Sequence, residues 1–194
     1  MSTPPLLSAN KLRCERDMRV LFKDLSFSVG AGECVELLGP NGSGKSTLLR
    51  ALAGLYPDVE GEVSVAASMY VGHRNGLNVL LTPRENLQWY AGITGVGVTG
   101  IDAVLQRVGL YGFEDSACQR LSQGQQRRAG LAVLLLVDRP LWLLDEPLNA
   151  LDTQGQALIN DLLNEHCAAN GAVFCATHQP LGEIATRSIV LGGG

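Results

Sequence analysis

The sequence predicts an α/β fold: a mainly parallel sheet flanked by helices, with an N-terminal antiparallel edge and an inserted helical subdomain. Three observations lead to this prediction. A glycine-rich loop at 39–47 stands between a strand pattern and a helix pattern. Two apolar runs, 141–144 and 173–176, are each followed by polar residues. Apolar and polar residues alternate at 25–29, before the loop. Strands that alternate with helices pair in parallel, so most of the sheet is expected to be parallel.

Length and composition limit the possible classes of protein. The 194 residues suffice for a single domain, 1–194, with a substantial core, and the helical subdomain is expected at about 74–140. The net charge is −4 and no long basic run is present, so nucleic acid is not an expected partner. Five scattered cysteines without a C-x-x-C pair favour a reducing compartment. The longest apolar run, 131–137, is too short to span a bilayer, and no signal peptide is expected.

The predicted elements follow in chain order. Leu25, Phe27 and Val29 alternate with serines, the period-two pattern of a half-exposed strand. Thr-Pro-Arg-Glu at 82–85 is a capping box with proline at the first helical position, and it predicts a helix start. The other predicted elements are strands at 34–38, 61–65, 68–71, 141–144 and 173–176, helices at 45–55, 101–108 and 126–137, a helix capped by Asp152 and closed by Gly171, and a flexible glycine-rich connection at 92–100.

The loop at 39–47 fits the pattern G-x-x-x-x-G-K-[ST], which binds a triphosphate. Gly42 and Gly44 permit positive φ, so successive backbone amides can point into one cavity and bind phosphate oxygens. Lys45 brings a positive charge to the β and γ oxygens, and Ser46 offers a hydroxyl to Mg2+. A turn that binds nothing is the alternative, which the flanking strand and helix disfavour. The residues predicted to bind the nucleotide here are Gly39, Pro40, Asn41, Gly42, Ser43, Gly44, Lys45, Ser46 and Thr47.

Two carboxylates follow the apolar strand at 141–144. The carboxyl end of a buried parallel strand is expected beside the phosphate loop, so Asp145 is predicted to hold Mg2+ through its water shell and Glu146 to polarise the attacking water. A solvated turn before Pro147 is the alternative. His178 follows the strand at 173–176 and is expected at the same sheet edge, near the γ-phosphate, although a lone histidine can equally serve packing.

Leu-Ser-Gln-Gly-Gln at 121–125 precedes an apolar helix. Ser122 is well placed as an N-cap, which by itself would be a structural role. The functional interpretation is a second anion site formed by the serine hydroxyl, a glycine amide and the helix dipole.

Together these stretches resemble the ATP-binding cassette (ABC) ATPases over essentially the whole chain. The stretches that carry the resemblance are 39–47 (Walker A), 121–125 (signature motif), 141–146 (Walker B), 148–152 (D-loop) and His178 (switch histidine). The resemblance implies a RecA-like core, the cofactors ATP and Mg2+, and Lys45, Glu146 and His178 as catalytic groups. It also implies a head-to-tail homodimer, in which Ser122, Gly124 and Gln125 complete the nucleotide site of the other subunit.

A narrower resemblance is to the ATP-binding subunits of bacterial cytochrome c maturation, the haem exporter ATPases, at 14–17, 71–73, 112–115, 121–128 and 177–181. It implies a peripheral ATPase on the cytoplasmic face of the inner membrane. Its partners would be integral membrane permease subunits, and hydrolysis would release a haem-loaded chaperone without direct haem binding by this chain. The alternatives are an ATPase subunit of an exporter for another substrate, or a soluble ABC ATPase outside transport.

Two positions depart from the general ABC pattern. Most cassettes place a glutamine on Mg2+ where this chain has His73, a side chain that can bind a metal when neutral. Most also stack the adenine on an aromatic ring, and the stretch 13–21 contains none. Arg16 is predicted to lie against the base instead. His166 is expected on a solvated helix face and Cys14 in packing.

Overall fold

The computed structural model describes residues 4–178 and 180–192, so Gln179, in the stretch 177–181 compared above, lies outside the described residues. The chain forms two compact units. The core unit comprises the chain up to Tyr70, Arg139–Glu146 and the chain from Leu162 on; the helical unit comprises Val71–Asp138 and Pro147–Asp161. The helical unit thus overlaps the subdomain predicted at about 74–140 and includes the stretch after Pro147 as well.

A β-rich start is followed by one α-helix, two strands, a run of α-helices and then strands around a single α-helix, so a helical insert interrupts the alternation as the sequence predicts. In chain order the elements are β1 (Leu7–Arg16), β2 (Arg19–Val29), β3 (Cys34–Leu38), α1 (Lys45–Leu52), β4 (Glu60–Val65), β5 (Ser68–Val71), α2 (Pro83–Thr94), α3 (Ile101–Arg107), α4 (Gln123–Leu131), α5 (Val133–Leu136), β6 (Leu141–Asp145), α6 (Thr153–Ala168), β7 (Ala172–Ala176) and β8 (Arg187–Val190). Among the described residues, none of these helices combines the length and the apolar character that crossing a bilayer requires.

The core unit contains two sheets. One has the order β5-β6-β7-β3-β8, in which β6, β7, β3 and β8 pair in parallel. The other is antiparallel, with the order β2-β1-β4. The predicted antiparallel edge is therefore a separate three-stranded sheet. A two-residue turn at Asp17 and Met18, both with positive φ, joins β1 to β2 in the manner of a type I′ hairpin.

Apolar side chains between the two sheets form the main hydrophobic core. The Phe27 ring of β2 stacks on the Phe174 ring of β7, with ring centroids 5.1 Å apart. Leu48 and Leu49 of α1 are fully buried in the same cluster. Helix α1 ends at Leu52 rather than at residue 55, because Gly54 adopts a left-handed conformation (φ 71°) and the amide of Leu55 bonds back to the Arg50 carbonyl. The core thereby fixes the loop between β3 and α1.

Capping interactions set the starts of α2 and α4 in the helical unit. Thr82 and Glu85 form the predicted capping box at the start of α2. Ser122 caps α4 as predicted, and it forms a capping box with Gln125 that sequence analysis missed. As a result α4 begins at Gln123, and the predicted helix start at 126 is wrong.

Two further predictions for this unit need correction. The predicted helix 126–137 is divided at Ala132, whose carbonyl accepts hydrogen bonds from both Leu135 and Leu136. The connection predicted at 92–100 is helical as far as Thr94. Gly92 is tolerated inside α2, and the left-handed Gly95 ends the helix instead.

Candidate nucleotide-binding site

The glycine-rich loop has the backbone geometry of a phosphate cradle. Gly39, Gly42 and Gly44 all have φ between 77° and 150°. A Cβ at Gly39 would lie 2.5 Å from the Leu191 carbonyl oxygen, and one at Gly44 would lie 3.0 Å from Cβ of Leu21. At Gly42 a Cβ would meet nothing, so only the backbone angle restricts that position. The loop thus requires glycines for two reasons: neighbouring atoms leave no room for a Cβ at Gly39 and Gly44, and the backbone has positive φ at all three positions.

Lys45 lies across this loop. Its Nζ donates hydrogen bonds to the carbonyl oxygens of Gly39 (2.6 Å) and Pro40 (3.3 Å), and the residue is only 7% exposed. The ammonium group is therefore held within the loop by neutral carbonyl groups, which a phosphate oxygen can replace as a stronger, charged partner.

The two predicted acids lie where β6 ends. Asp145 is its last residue and is buried, and Glu146 follows with a left-handed backbone (φ 53°) whose amide donates to the Ala176 carbonyl. A positive φ at a residue other than glycine is uncommon and is often found at functional sites. Helix α1, which begins at Lys45 and Ser46, packs against β6.

Glu146 and His178 form a pair within the core unit. His178 Nε2 lies 3.2 Å from Glu146 Oε1, and the His178 backbone amide donates to Oε2 at 3.3 Å. The Glu146 side chain is 10% exposed and that of His178 is 45% exposed. The two groups predicted to act at the γ-phosphate are therefore in direct contact, with the imidazole open to solvent.

The residues present fit a bound Mg2+ by their chemistry. Ser46 offers a hydroxyl oxygen and Asp145 a carboxylate, the hard oxygen ligands that this ion prefers. His73 belongs to the helical unit, whereas Ser46 and Asp145 belong to the core unit. Coordination of Mg2+ by Ser46, Asp145 and His73 stays a prediction.

A groove of about 650 Å³ runs beside the phosphate loop in the core unit. Arg19, Leu21 and Lys23 of β2 line it, together with loop residues such as Pro40 and Ser43. The groove thus carries two cationic side chains that sequence analysis did not single out.

Arg16, the predicted support for the base, has a different environment. Its Nε lies 3.4 Å from a carboxylate oxygen of Asp17, and its side chain is 60% exposed. Its contact with a base stays a prediction, and Arg19 is the arginine that lines the groove.

The signature stretch lines a cavity of about 290 Å³ in the helical unit. Ser122 Oγ accepts a hydrogen bond from the backbone amide of Gln125 (3.2 Å), and Gln125 Oε1 accepts one from the backbone amide of Ser122 (2.9 Å). A Cβ at Gly124 would lie 3.0 Å from the Ala150 carbonyl oxygen, so glycine lets α4 approach the D-loop stretch closely. Ser122, Gly124 and Gln125 thus lie together at the start of α4, and their contact with a nucleotide stays a prediction.

Arg127 is a buried cation in the helical unit that sequence analysis did not single out. It is 3% exposed, and its guanidinium donates to the carbonyls of Pro147 (3.2 Å) and Gly72 (2.9 Å) and to Asn75 Oδ1 (2.7 Å). A second cavity of about 500 Å³, lined by His73, Asn75 and Arg127 among others, adjoins it. Arg127 therefore ties α4 to the loop that carries His73 and to the residue after Glu146.

The expectation for His166 is wrong. Its ring stacks on Trp142 of β6 with centroids 3.7 Å apart, and Gly171 packs against it, so the side chain serves packing rather than a solvated face. Cys14 is buried in the core, as expected, and burial raises the pKa of its thiol. The five cysteines are free thiols. The hydrogen bond between Cys34 and Cys167 raises the pKa of Cys34, with burial adding to the effect, and lowers that of Cys167.

Comparisons with known proteins identify the family to which the chain belongs. The family model of the ABC transporter matches residues 22–149, and the chain belongs to that family as one of its ATP-binding, ATP-hydrolysing members. It is 45% identical to the cytochrome c biogenesis ATP-binding export protein CcmA of Hahella chejuensis, over 97% of this chain and 96% of that protein. It is 43% identical to the protein of the same name from Pseudomonas syringae pv. tomato, over 98% and 97%.

Solved structures share the fold. An ATP-binding subunit of an ABC transporter superposes with a TM-score of 0.87 at 23% identity, covering 96% of this chain and 85% of that one. A dimeric post-hydrolysis state of the ATP-binding cassette MJ0796 with ADP and Pi superposes with a TM-score of 0.86 at 24% identity, covering 95% and 94%. The predicted α/β fold is thereby confirmed.

Proposed function

We propose that this chain hydrolyses ATP to ADP and phosphate as the peripheral, cytoplasmic-face subunit of an inner-membrane complex of cytochrome c maturation. Hydrolysis powers haem export or the release of a haem-loaded chaperone by that complex. The observation that carries the chemistry is the contact between Glu146 and His178 in the unit that also contains the phosphate loop. The curated relatives named for cytochrome c biogenesis, similar over nearly the whole chain, support the cellular role.

The chain's own groups divide the work of phosphoryl transfer. The loop amides and Lys45 hold the β and γ phosphates in place of the carbonyls that Lys45 now contacts. Glu146 orients and polarises the attacking water, and His178 contacts the γ-phosphate while holding the Glu146 carboxylate. Mg2+, held by Ser46 and Asp145, supplies charge neutralisation when bound. Catalysis then rests on positioning and charge stabilisation, with no covalent intermediate on the protein.

Two copies of the chain share each nucleotide. The loop of one copy holds the phosphates, and Ser122, Gly124 and Gln125 of the other close over the γ-phosphate with the start of α4. Support comes from the glycine-permitted approach of α4 to the D-loop stretch and from the cavity at the helix start. ATP thus binds the two copies together, and hydrolysis releases them. Permease subunits in the membrane are the further partners.

The variant Glu146→Gln tests the chemistry. It removes the general base but keeps the size of the side chain, so MgATP should still bind while turnover is almost lost. Gel filtration with MgATP should then reveal a stable dimer. Glu183→Gln, an exposed carboxylate changed in the same way, is the matched control and should behave like the wild type. Normal hydrolysis by Glu146→Gln would exclude Glu146 as the base.

A cellular experiment tests the role in cytochrome maturation separately. Replacing the native copy with Glu146→Gln should abolish haem-stained c-type cytochromes while b-type cytochromes remain. Isolation of the complex from membranes should recover integral membrane subunits together with this chain. Normal c-type cytochromes in that strain would point to an exporter of another substrate, while leaving the ATPase assignment intact.

A further inference from the structure

Glu36 is a buried carboxylate in the strand that leads into the phosphate loop. It lies in the middle of β3, between the fully buried Val35 and Leu37, and is 5% exposed. Burying a carboxylate in a sheet is unfavourable unless hydrogen bonds compensate. An apolar residue would fill this position at lower cost, so the carboxylate calls for an explanation beyond packing.

Both oxygens of Glu36 accept hydrogen bonds from later parts of the chain. Oε2 accepts a hydrogen bond from the backbone amide of Leu181 (3.0 Å), and Oε1 accepts one from the hydroxyl of Ser188 in β8 (2.6 Å). Leu181 is itself buried and stands three residues after His178. The carboxylate therefore ties β3 both to β8 and to the segment that follows His178.

The position of His178 depends on its backbone, because its side chain is 45% exposed. On the N-terminal side β7 fixes that backbone, with the Thr177 amide donating to the Leu37 carbonyl at 3.2 Å. On the C-terminal side the Leu181 amide is fixed on Glu36. Strand β3 thus accepts hydrogen bonds from the amides of Thr177 and Leu181, which stand one residue before and three residues after the histidine.

We propose that Glu36 is a positioning residue for the ATPase reaction: through the Leu181 amide it holds His178 against Glu146 and over the terminal phosphate. The inference rests on the proposed function and adds a residue that does not touch the substrate. Strand β3 then contributes to the site twice. The phosphate loop follows its last residue, and Glu36 in its middle positions the switch histidine.

Two substitutions distinguish the effect of the hydrogen-bond acceptors of Glu36 from the effect of its side-chain size. In Glu36→Gln the side-chain oxygen can accept the hydrogen bond from the backbone N–H of Leu181. The side-chain NH2 group can donate a hydrogen bond to the Ser188 hydroxyl, which rotates to accept it. Both links survive, so kcat should stay close to that of the wild type. Glu36→Met keeps a side chain of similar length but offers no such acceptor. Its kcat should fall on the order of 10–100-fold, as for other groups that hold a catalytic residue in place.

The binding of MgATP should be unchanged in Glu36→Met, because the loop and Lys45 are intact. Calorimetry with MgATP and steady-state kinetics on the full chain measure the two effects separately. If Glu36→Met does not fold, Glu36→Asp takes its place, since it withdraws the carboxylate by one methylene and should show the same loss of kcat. A Glu36→Met or Glu36→Asp protein with wild-type kcat would overturn the inference.

A double-mutant cycle with His178→Ala distinguishes positioning from general stability. If Glu36 acts through His178, Glu36→Met should cause no further loss of kcat in the His178→Ala background. If the two losses multiply, Glu36 acts elsewhere and the inference is wrong. A wild-type chain without MgATP turnover, or a His178→Ala chain with full turnover, would instead refute the proposed function itself.

Discussion

Replacing Arg127 by methionine should destabilise the helical unit strongly. The guanidinium donates hydrogen bonds to the Pro147 and Gly72 carbonyls and to Asn75 Oδ1, from a residue that is 3% exposed. Hydrogen bonds to a charged group contribute about 1.5–3 kcal/mol each, and the cost of burying the cation offsets part of their sum. Since methionine leaves the acceptors without this donor, we expect a loss of roughly 2–4 kcal/mol in the free energy of unfolding.

Thermal unfolding followed by circular dichroism measures this loss. For a chain of this length, 2–4 kcal/mol corresponds to a fall in Tm of about 5–15 °C. Arg120→Met, at an exposed position shortly before α4, is the matched control and should change the stability by less than about 0.5 kcal/mol. Arg127→Lys should lie between the two, because an ammonium cannot reproduce the planar fork of donors.

Unfolding of Arg127→Met at the same temperature as Arg120→Met would contradict this prediction. That result would mean that water or neighbouring groups satisfy the three acceptors equally well. It would also remove the argument that α4, the loop carrying His73 and Pro147 are held together by one side chain.

Three further predictions concern binding, capping and pH. Lys45→Ala should abolish MgATP binding in calorimetry, because the charge at the phosphate oxygens is lost. Thr82→Ala should lower the free energy of unfolding by about 0.5–2 kcal/mol through loss of the capping box, as measured by urea denaturation. The Arg84 guanidinium lowers the pKa of Asp115 from its ordinary 3.8, so this pair stabilises the fold above that pH and ceases to do so as the pH falls through the lower value. In Arg84→Met, NMR titration should return the Asp115 pKa to its ordinary value.

Local patterns predicted the parts of the fold that local interactions determine. The capping box at Thr82 and Glu85 involves residues three apart, so the sequence itself contains both partners. The phosphate loop is a similar case, because its glycines are required by the backbone angles of the loop. Strand β3, which leads into the loop, is a short and mostly apolar run that ends just before Gly39.

Other elements were missed because their causes are not local. Strand β1 has its buried residues at Leu7, Ala9, Leu12 and Cys14, and the register shift between Ala9 and Leu12 breaks the period of two that would have identified it. His166 was assigned to a solvated face because its partner Trp142 lies on a different element. The hydrophobic periodicity of α6 does not indicate that His166 stacks on a residue of another element.

The candidate site divides in the same way. Lys45, Glu146 and Ser122 are visible as motif residues, whereas Glu36 and Arg127 owe their roles to distant partners. Glu36 bonds to an amide 145 positions away, and Arg127 to a carbonyl 55 positions away. A charged residue in an apolar strand, such as Glu36, was the one available signal, and only the fold identifies its partners.

Complementation between two inactive variants tests the shared site most directly. Lys45→Ala removes the phosphate ligand, and Ser122→Asp keeps an N-cap acceptor but places a negative charge where the anion is expected to bind. Each variant alone should be inactive. When the two are mixed, each mixed dimer contains one intact site, formed by the loop of the Ser122→Asp copy and the signature stretch of the Lys45→Ala copy, so MgATP hydrolysis should return. If mixing restores no activity although mixed dimers form, the nucleotide site does not combine residues of two chains.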